Sequence, residues 1–446
     1  MRAWNGRFVV AMGILACVGT SLVAQEKVPV KSDPKKAAVS SPAPASGLSE
    51  AVEAFNAQDF SRALKLLQAA YQADPTLPPP RIVMVEWFSQ ARLPGAIHVS
   101  LEAAAEETPN DPEAYILLAE AALNEGRLAE AALLLGHGKQ LVDRYSSNAD
   151  RKTTLENRVL SDKATLAEKR RKWEEMKQCL LALESRLPKS VQVQQRLGIA
   201  HFQLKEDEEA RRRLEKAGAL DATALPASAM MAQLYQLRGD TARVRTEIAA
   251  ALKAKPKDTA TLLIAAQLQL KNGEFDEAER NADKLLAVDA ENPAILKLQG
   301  TIALFCNAPK KAEEHFQKVV VQSPNDFEAS DGLALALSDQ EDKPDALRRA
   351  VEYARANLQR NPNNPQAVAT MGWCLFRVGQ IDAAANLLDR LAATGDISAN
   401  AAYYLARVSL QKGKTPQAVS LLQAALKTTP NFTKRDEAQA LLGQLK

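Results

Sequence analysis

Apolar residues recur three and four positions apart along most of the chain, which is the spacing of an amphipathic helix. Two such runs lie on either side of Gly273, at Leu262, Leu263, Ala266 and Leu270 and at Phe275, Ala278, Ala282, Leu285 and Leu286. No window alternates apolar and polar residues for long enough to predict a strand. The pattern therefore predicts pairs of amphipathic helices and an all-α fold.

A small residue recurs at a fixed interval in the first helix of each predicted pair. Positions 34 residues apart are Gly198, Ala232, Ala266, Gly300 and Ala334, and after one 38-residue step the series continues at Gly372 and Ala406. A second series follows twelve residues behind the first, at Ala210, Val244, Ala278 and Ala312. A small residue on each helix at the point where the two cross lets their backbones approach closely. The period therefore predicts an array of two-helix repeats.

Glycine and proline divide this array at regular places. Gly126, Gly239, Gly273 and Gly413 fall between the two helices of a repeat, where a glycine can leave the first helix in a left-handed conformation. Prolines fall between repeats, at Pro75, Pro109, Pro256, Pro324, Pro362 and Pro430. Each proline, often with Asn or Asp after it, ends one helix and starts the next.

The period and its small residues resemble the tetratricopeptide repeat (TPR) family. In the unit 225–258 the matching residues are Met231, Ala232, Tyr235, Gly239, Val244, Ala251 and Pro256, and in the last unit they are Leu405, Ala406, Gly413, Ala418, Ala425 and Pro430. The resemblance implies a right-handed superhelical solenoid of helix-turn-helix repeats over residues 47–446. We predict about eleven repeats, the fourth of them extended at 143–177, and a C-terminal capping helix over 433–446.

The N-terminus has the pattern of a secretory signal peptide over residues 1–24. Arg2 and Arg7 precede an apolar run from Phe8 to Val23, and Ala24 is followed by the polar residues Gln25 and Glu26. A second interpretation is a lipoprotein signal in which Cys17 becomes a lipidated N-terminus, and a third is a retained membrane anchor. Residues 25–46 are rich in Lys, Pro, Ser and Ala and are predicted to be a disordered linker.

Composition and charge exclude some classes of function. The formal net charge is +3; two of these charges belong to Arg2 and Arg7, which leaves the rest of the chain near +1. This is not the footprint of a nucleic-acid-binding protein. Cys179, Cys306 and Cys374 are too far apart along the array to pair, since a disulfide needs Cα atoms within about 7 Å, and we expect buried thiols.

Signals of catalysis are missing from the sequence. It contains no phosphate-binding loop of the Gly-x-x-x-x-Gly-Lys-Ser/Thr type, no His-Glu-x-x-His, no Gly-x-Ser-x-Gly and no Cys-x-x-Cys. The four histidines, His98, His137, His201 and His315, fall in separate repeats, which is unsuited to a shared metal. We therefore predict no enzyme activity, no catalytic residue, no cofactor and no metal.

The extended fourth repeat is one candidate interaction site. Its eleven additional residues amount to about three helical turns, so they could lengthen both helices into a projecting finger. The basic residues near its tip would be Lys169, Arg170, Arg171 and Lys172. Such a cluster can contact anionic lipid or an acidic partner, whereas the neighbouring glutamates favour an ordinary solvated face.

The main candidate site follows from the family resemblance, which implies that the first helix of each repeat lines a concave groove. In the last two repeats this places together Trp373, Phe376, Arg377, Tyr403 and Arg407. Tryptophan, tyrosine and arginine dominate the hot spots of protein interfaces. The alternative is aromatic packing between adjacent repeats.

These observations predict an exported, non-catalytic scaffold that binds another protein or a peptide segment in its concave groove. The expected location is periplasmic or extracellular, with no nucleic-acid partner, and the membrane is contacted only through a lipid on Cys17. One alternative is a lipid-tethered structural component of an envelope secretion or polysaccharide-export assembly. Another is a protein of glycan processing or transfer.

Overall fold

The computed structural model describes residues 46–340, 343–395, 397–428 and 431–445. Throughout these residues the regular structure is α-helical, without a strand, so the predicted all-α fold is confirmed. The predicted signal peptide, with Cys17, and most of the predicted linker lie outside the described residues. The chain divides into two compact units between Ala224 and Leu225, within the non-helical segment that joins two successive repeats.

Unit 1 is built from helix pairs that follow one another along the chain. Its described helices are α1 (Ser46–Asn56), α2 (Phe60–Ala73), α3 (Pro80–Gln90), α4 (Pro94–Glu107), α5 (Pro112–Asn124), α6 (Leu128–Arg144), α7 (Ala149–Lys169), α8 (Trp173–Arg186), α9 (Val191–Gln203) and α10 (Asp207–Leu220). Each helix packs against the next along the chain, as in a solenoid.

Unit 2 repeats the same arrangement and ends in a single short helix. Its described helices are α11 (Ala227–Arg238), α12 (Thr241–Ala254), α13 (Thr259–Asn272), α14 (Phe275–Val288), α15 (Pro293–Phe305), α16 (Pro309–Gln322), α17 (Phe327–Ser338), α18 (Pro344–Arg360), α19 (Pro365–Arg377), α20 (Ile381–Ala393), α21 (Ala399–Gln411), α22 (Thr415–Thr428) and α23 (Arg435–Gln444). First helices of successive repeats also contact each other, as α17 and α19 do.

The small residues of the 34-residue period lie where the two helices of a repeat cross. A Cβ added to Gly300 would lie 2.7 Å from the Phe316 ring, and one added to Gly372 would lie 2.7 Å from Leu388. Both distances are shorter than van der Waals contact. Glycine at these positions therefore sets the spacing of the two helices.

The turns within repeats have the predicted geometry. Gly239 ends α11 with φ at 80° and Gly273 ends α13 with φ at 78°, a left-handed conformation that costs glycine least. At the starts of first helices, Asp111 accepts a hydrogen bond from the backbone N–H of Glu113, and Asn364 accepts one from that of Gln366. These N-caps satisfy amide groups that the helix itself leaves unpaired.

The extended fourth repeat differs from its prediction. Its first helix, α7, has 21 residues, whereas its second helix, α8, has 14 residues, the same length as α10. The additional length therefore lies in α7 and in the C-terminal part of α6, which reaches Arg144. The prediction of a finger in which both helices are lengthened is wrong, because the second helix, which begins directly after the turn 170–172, has the ordinary length.

The three cysteines of the described residues are free thiols with different environments. Cys374 is buried, Cys179 is half-buried and Cys306 is exposed. The prediction of a buried thiol is therefore wrong for Cys306. This residue is the C-cap of α15, so it follows the last helical residue and is not on the packed face of the helix.

Candidate protein-binding surface

The indole of Trp373 in α19 is fully buried. Its ring stacks on Phe376, with ring centroids 5.3 Å apart and an angle of 19° between the planes, and on Tyr404 of α21, at 4.6 Å and 18°. Its Nε1 donates a long hydrogen bond of 3.4 Å to Oδ1 of Asp339. At Trp373 the structure thus favours the alternative considered above, aromatic packing between adjacent repeats.

Tyr403 in α21 is also buried, and its hydroxyl is held from two sides. The hydroxyl donates to Oε2 of Glu437 at 2.7 Å and accepts from Nη1 of Arg407 at 2.8 Å. Burial, together with the neighbouring Glu437 carboxylate, raises the pKa of the Tyr403 phenol. Tyr403 therefore acts as a fixed polar link between α21 and α23.

Phe376, Arg377 and Arg407 are half-buried and form the accessible edge of this cluster. The Arg377 guanidinium lies 5.4 Å from the centre of the Trp373 ring, and the Arg407 guanidinium lies 5.6 Å from the centre of the Phe376 ring. Each cation faces an aromatic ring, an arrangement that is electrostatically attractive. The five residues singled out in the sequence are therefore in one cluster, in which the rings form the interior and the guanidiniums the rim.

Three further residues complete the cluster: Asp339, Lys434 and Glu437. The Lys434 side chain is 7% exposed, and its Nζ lies 2.8 Å from Oδ2 of Asp339 and 2.8 Å from Oε1 of Glu437. Burial opposes the charge on Lys434, but the two carboxylates outweigh it and raise the pKa of Lys434. Sequence reasoning missed these residues, although Asp339 and Trp373, like Tyr403 and Glu437, are separated by one period of 34 residues.

A second buried carboxylate lies on α17 of the same unit. Asp331 is 1% exposed and its Oδ2 accepts a hydrogen bond of 2.9 Å from Nε2 of Gln366 in α19. Burial raises the pKa of Asp331 to about 6 despite the side-chain hydrogen bonds that favour its charged form. This carboxylate lies within the packing of two first helices.

The basic residues of the fourth repeat lie in the turn between α7 and α8 and in the residues next to it. Arg170 donates from Nη2 to the backbone oxygen of Leu128 at 2.7 Å, and Lys172 pairs with Glu175 at 2.7 Å. All four predicted residues, Lys169, Arg170, Arg171 and Lys172, are exposed. Arg170 thus attaches this turn to the preceding helix pair, and Lys172, the N-cap of α8, is paired with Glu175 in the first turn of that helix.

Unit 1 contains a ladder of arginines and carboxylates between successive first helices, which the sequence reasoning missed. Arg151 of α7 bonds Asp111 at 2.6 Å and Glu113 of α5 at 2.7 Å. Seven residues further along α7, Arg158 donates to Glu120 of α5 at 2.9 Å. In the next pair of first helices, Arg196 of α9 lies 3.2 Å from Glu168 of α7. These charges neutralise one another between the helices.

Two further properties of the described residues bear on function. None of their helices combines the length and the apolar character that crossing a membrane requires. Within the same residues, no group of three or more His, Cys, Asp or Glu side chains is placed to hold a metal ion.

Comparison with known proteins identifies the class. Residues 89–136, 263–327 and 369–431 match the model of the Tetratricopeptide repeat family, and the helix pairs described above have the form of that repeat. These three segments of the chain therefore contain tetratricopeptide repeats, as the sequence period predicted.

Particular relatives are distant. The chain is 27% identical over 173 residues to "Interferon-induced protein with tetratricopeptide repeats 3" of Mus musculus; this match covers 36% of the chain and 41% of that protein's length. A tetratricopeptide repeat protein from Parabacteroides merdae is 14% identical with a TM-score of 0.41, covering 65% of this chain and 98% of that chain. Yeast Tom70 is 15% identical with a TM-score of 0.36, covering 90% and 95%.

Proposed function

We propose that this protein is an exported, non-catalytic scaffold that binds a segment of another protein on the inner surface of unit 2, the surface formed by the first helices α17, α19 and α21. The fold is one that supports protein–protein interaction. Its stacked helix pairs present a preformed surface, so little ordering entropy is lost when a partner binds.

The arginine rim of the aromatic cluster is the observation that carries this proposal. Arg377 and Arg407 are half-buried, and each guanidinium lies over an aromatic ring that holds it in place. A guanidinium fixed in this way offers N–H donors in a fixed geometry, which suits a carboxylate or a backbone carbonyl. The matching partner is a protein segment with an acidic side chain that contacts this rim.

The test is capture of a partner from an envelope extract by the mature chain, followed by identification by mass spectrometry. The test variant is Arg377→Ala/Arg407→Ala, because Trp373 is buried and its removal would change stability instead of the surface. The matched control is Arg280→Ala/Arg348→Ala, which removes two arginines whose side chains are 63% and 70% exposed on second helices. We expect the test variant to lose the partner and the control to retain it, with circular dichroism verifying that both variants are folded. If both variants retain the partner, the arginine rim is excluded as the binding site.

Export is tested separately, through the N-terminus of the protein as its host produces it. Mass spectrometry of the intact protein is expected to show a chain that begins at Gln25. A chain that begins at a lipidated Cys17 would contradict a free scaffold and favour the lipid-tethered envelope component. A chain that keeps residues 1–24 in a cytoplasmic fraction would contradict export.

A further inference from the structure

The segment 431–437, which leads into α23 and includes its first three residues, makes contacts outside its own repeat. The Nδ2 of Asn431 donates a hydrogen bond of 2.9 Å to the backbone oxygen of Lys271, 160 positions earlier in the chain. Gly273, in the turn after α13, lies so close that a Cβ there would be 2.9 Å from Oδ1 of Asn431. The segment therefore reaches a repeat that is separated from it by three complete repeats.

The same segment also reaches the repeat 327–364. Lys434 binds Asp339, the C-cap of α17, and Phe432 is buried in the hydrophobic cluster of unit 2. Glu437, three residues after Lys434, accepts the hydrogen bond from Tyr403, and Thr433 donates to Oδ1 of Asn400 at 3.0 Å. The contacts of this segment thus extend over α13, α17 and α21, all of them first helices.

The chemistry of these contacts is complementary. Lys271 and Asp339 lie at the carboxyl ends of their helices, where backbone carbonyls lack partners and the helix dipole is negative. The segment brings an amide donor to the first end and an ammonium group to the second. At the third first helix, the segment supplies the Glu437 carboxylate as an acceptor for the Tyr403 hydroxyl, which itself accepts from Arg407.

We infer that the segment 431–437 is an intramolecular occupant of the partner-binding surface of unit 2. A partner segment competes with it by presenting the same chemistry, a lysine three residues before a glutamate at the start of a helix. The inference rests on the proposed function for the existence of such a partner, whereas occupation by the chain's own segment can be measured without one.

The experiment uses the full-length mature chain and a fluorescent peptide with the sequence of residues 431–445. In the variant Asn431→Ala/Lys434→Ala the chain's own segment is weakened. The control Asn386→Ala/Lys414→Ala makes the same two replacements at exposed positions. A second peptide, in which the residues at 434 and 437 are exchanged, tests the order of the charges. Binding is followed by fluorescence anisotropy, and circular dichroism verifies that each protein is folded.

We expect the test variant to bind the native-sequence peptide at least tenfold more tightly than the wild type and the control, and to bind the exchanged peptide no better than they do. Equal affinity for all three proteins, or no binding by any, overturns the inference. If Asn431→Ala/Lys434→Ala unfolds, Asn431→Ala alone replaces it, since it removes the contact with Lys271 without leaving the Asp339 carboxylate unpaired. If the test variant binds the peptide more tightly but no envelope protein is captured, the inference of self-occupation is supported and only the proposed function is contradicted.

Discussion

The Nε1 of Trp373 and the carboxylate of Asp339 join two consecutive repeats of unit 2 by a hydrogen bond of 3.4 Å. The other oxygen of the same carboxylate binds Lys434 at 2.8 Å. One side chain therefore connects the aromatic packing of α19 to the segment that precedes α23. Changes at this point should affect both stability and the surface proposed to bind a partner.

Removal of the buried indole is expected to destabilise the protein strongly. Trp373→Ala deletes a fully buried ring that stacks on two others, and such truncations cost about 3–5 kcal/mol because they leave a cavity. Urea denaturation measures the loss. The control is Trp173→Ala, at a tryptophan that is only half-buried, for which a smaller loss is expected. Similar losses for both variants would contradict the packing role assigned to Trp373.

Adding a methyl group at a helix crossing should lower the stability of the protein, whereas adding one on an open helix face should raise it. Gly300→Ala brings a Cβ to 2.7 Å from Phe316, whereas a Cβ on Gly136 in α6 meets nothing within 4 Å. We expect Gly300→Ala to destabilise by about 1–3 kcal/mol through overpacking, and Gly136→Ala to stabilise by about 0.5–1 kcal/mol through its higher helix propensity. Thermal unfolding of the two variants decides the signs, and stabilisation by Gly300→Ala would show that the crossing can relax.

Asp331 should make stability depend on pH in a defined direction. Its pKa is raised by burial to about 6, so the folded state binds the proton more tightly than the unfolded state. This contribution to the free energy of unfolding is complete below about pH 4 and is lost as pH rises through about 6, with a slope of up to about 1.4 kcal/mol per pH unit.

Asp331→Asn isolates that contribution, since the amide oxygen can still accept from Gln366. The free energy of unfolding of the wild type minus that of the variant should fall between about pH 4 and 6 and then level off. Urea denaturation at a series of pH values provides both curves. A difference that does not change with pH would mean that Asp331 titrates normally.

The arginine ladder of unit 1 should be sensitive to loss of its cation. Arg151 is 11% exposed and binds two carboxylates at the start of α5, those of the N-cap Asp111 and of Glu113. Arg151→Ala leaves these carboxylates next to each other without a counter-charge, for which the expected cost is about 3–5 kcal/mol. Arg348→Ala, at a pair in which both side chains are well exposed, should change the denaturation midpoint little. Equal midpoints for the two variants would show that the ladder is not a stabilising element.

Periodicity identified the helix pairs because each repeat has to bury the same face. Gly300 and Gly372 could be assigned to helix crossings from spacing alone, and the structure has them there. The candidate cluster of the last two repeats needed the family resemblance as well, which implies that Trp373 and Tyr403 lie on the inner faces of neighbouring first helices. Spacing could not show which of its members are buried.

The sequence by itself determined the all-α class and the repeat, because local helix periodicity and nearest-neighbour stacking are sufficient to specify them. The cluster of aromatic residues and arginines was what the resemblance to the tetratricopeptide repeat family implied. Tertiary structure alone decided that the rings of Trp373 and Tyr403 are interior and that the additional residues near the fourth repeat extend α6 and α7. It also decided that Lys434 and Asn431 reach Asp339 and Lys271. Those contacts join residues 95 or more positions apart. They depend on how several repeats curve together, which no short window of sequence contains.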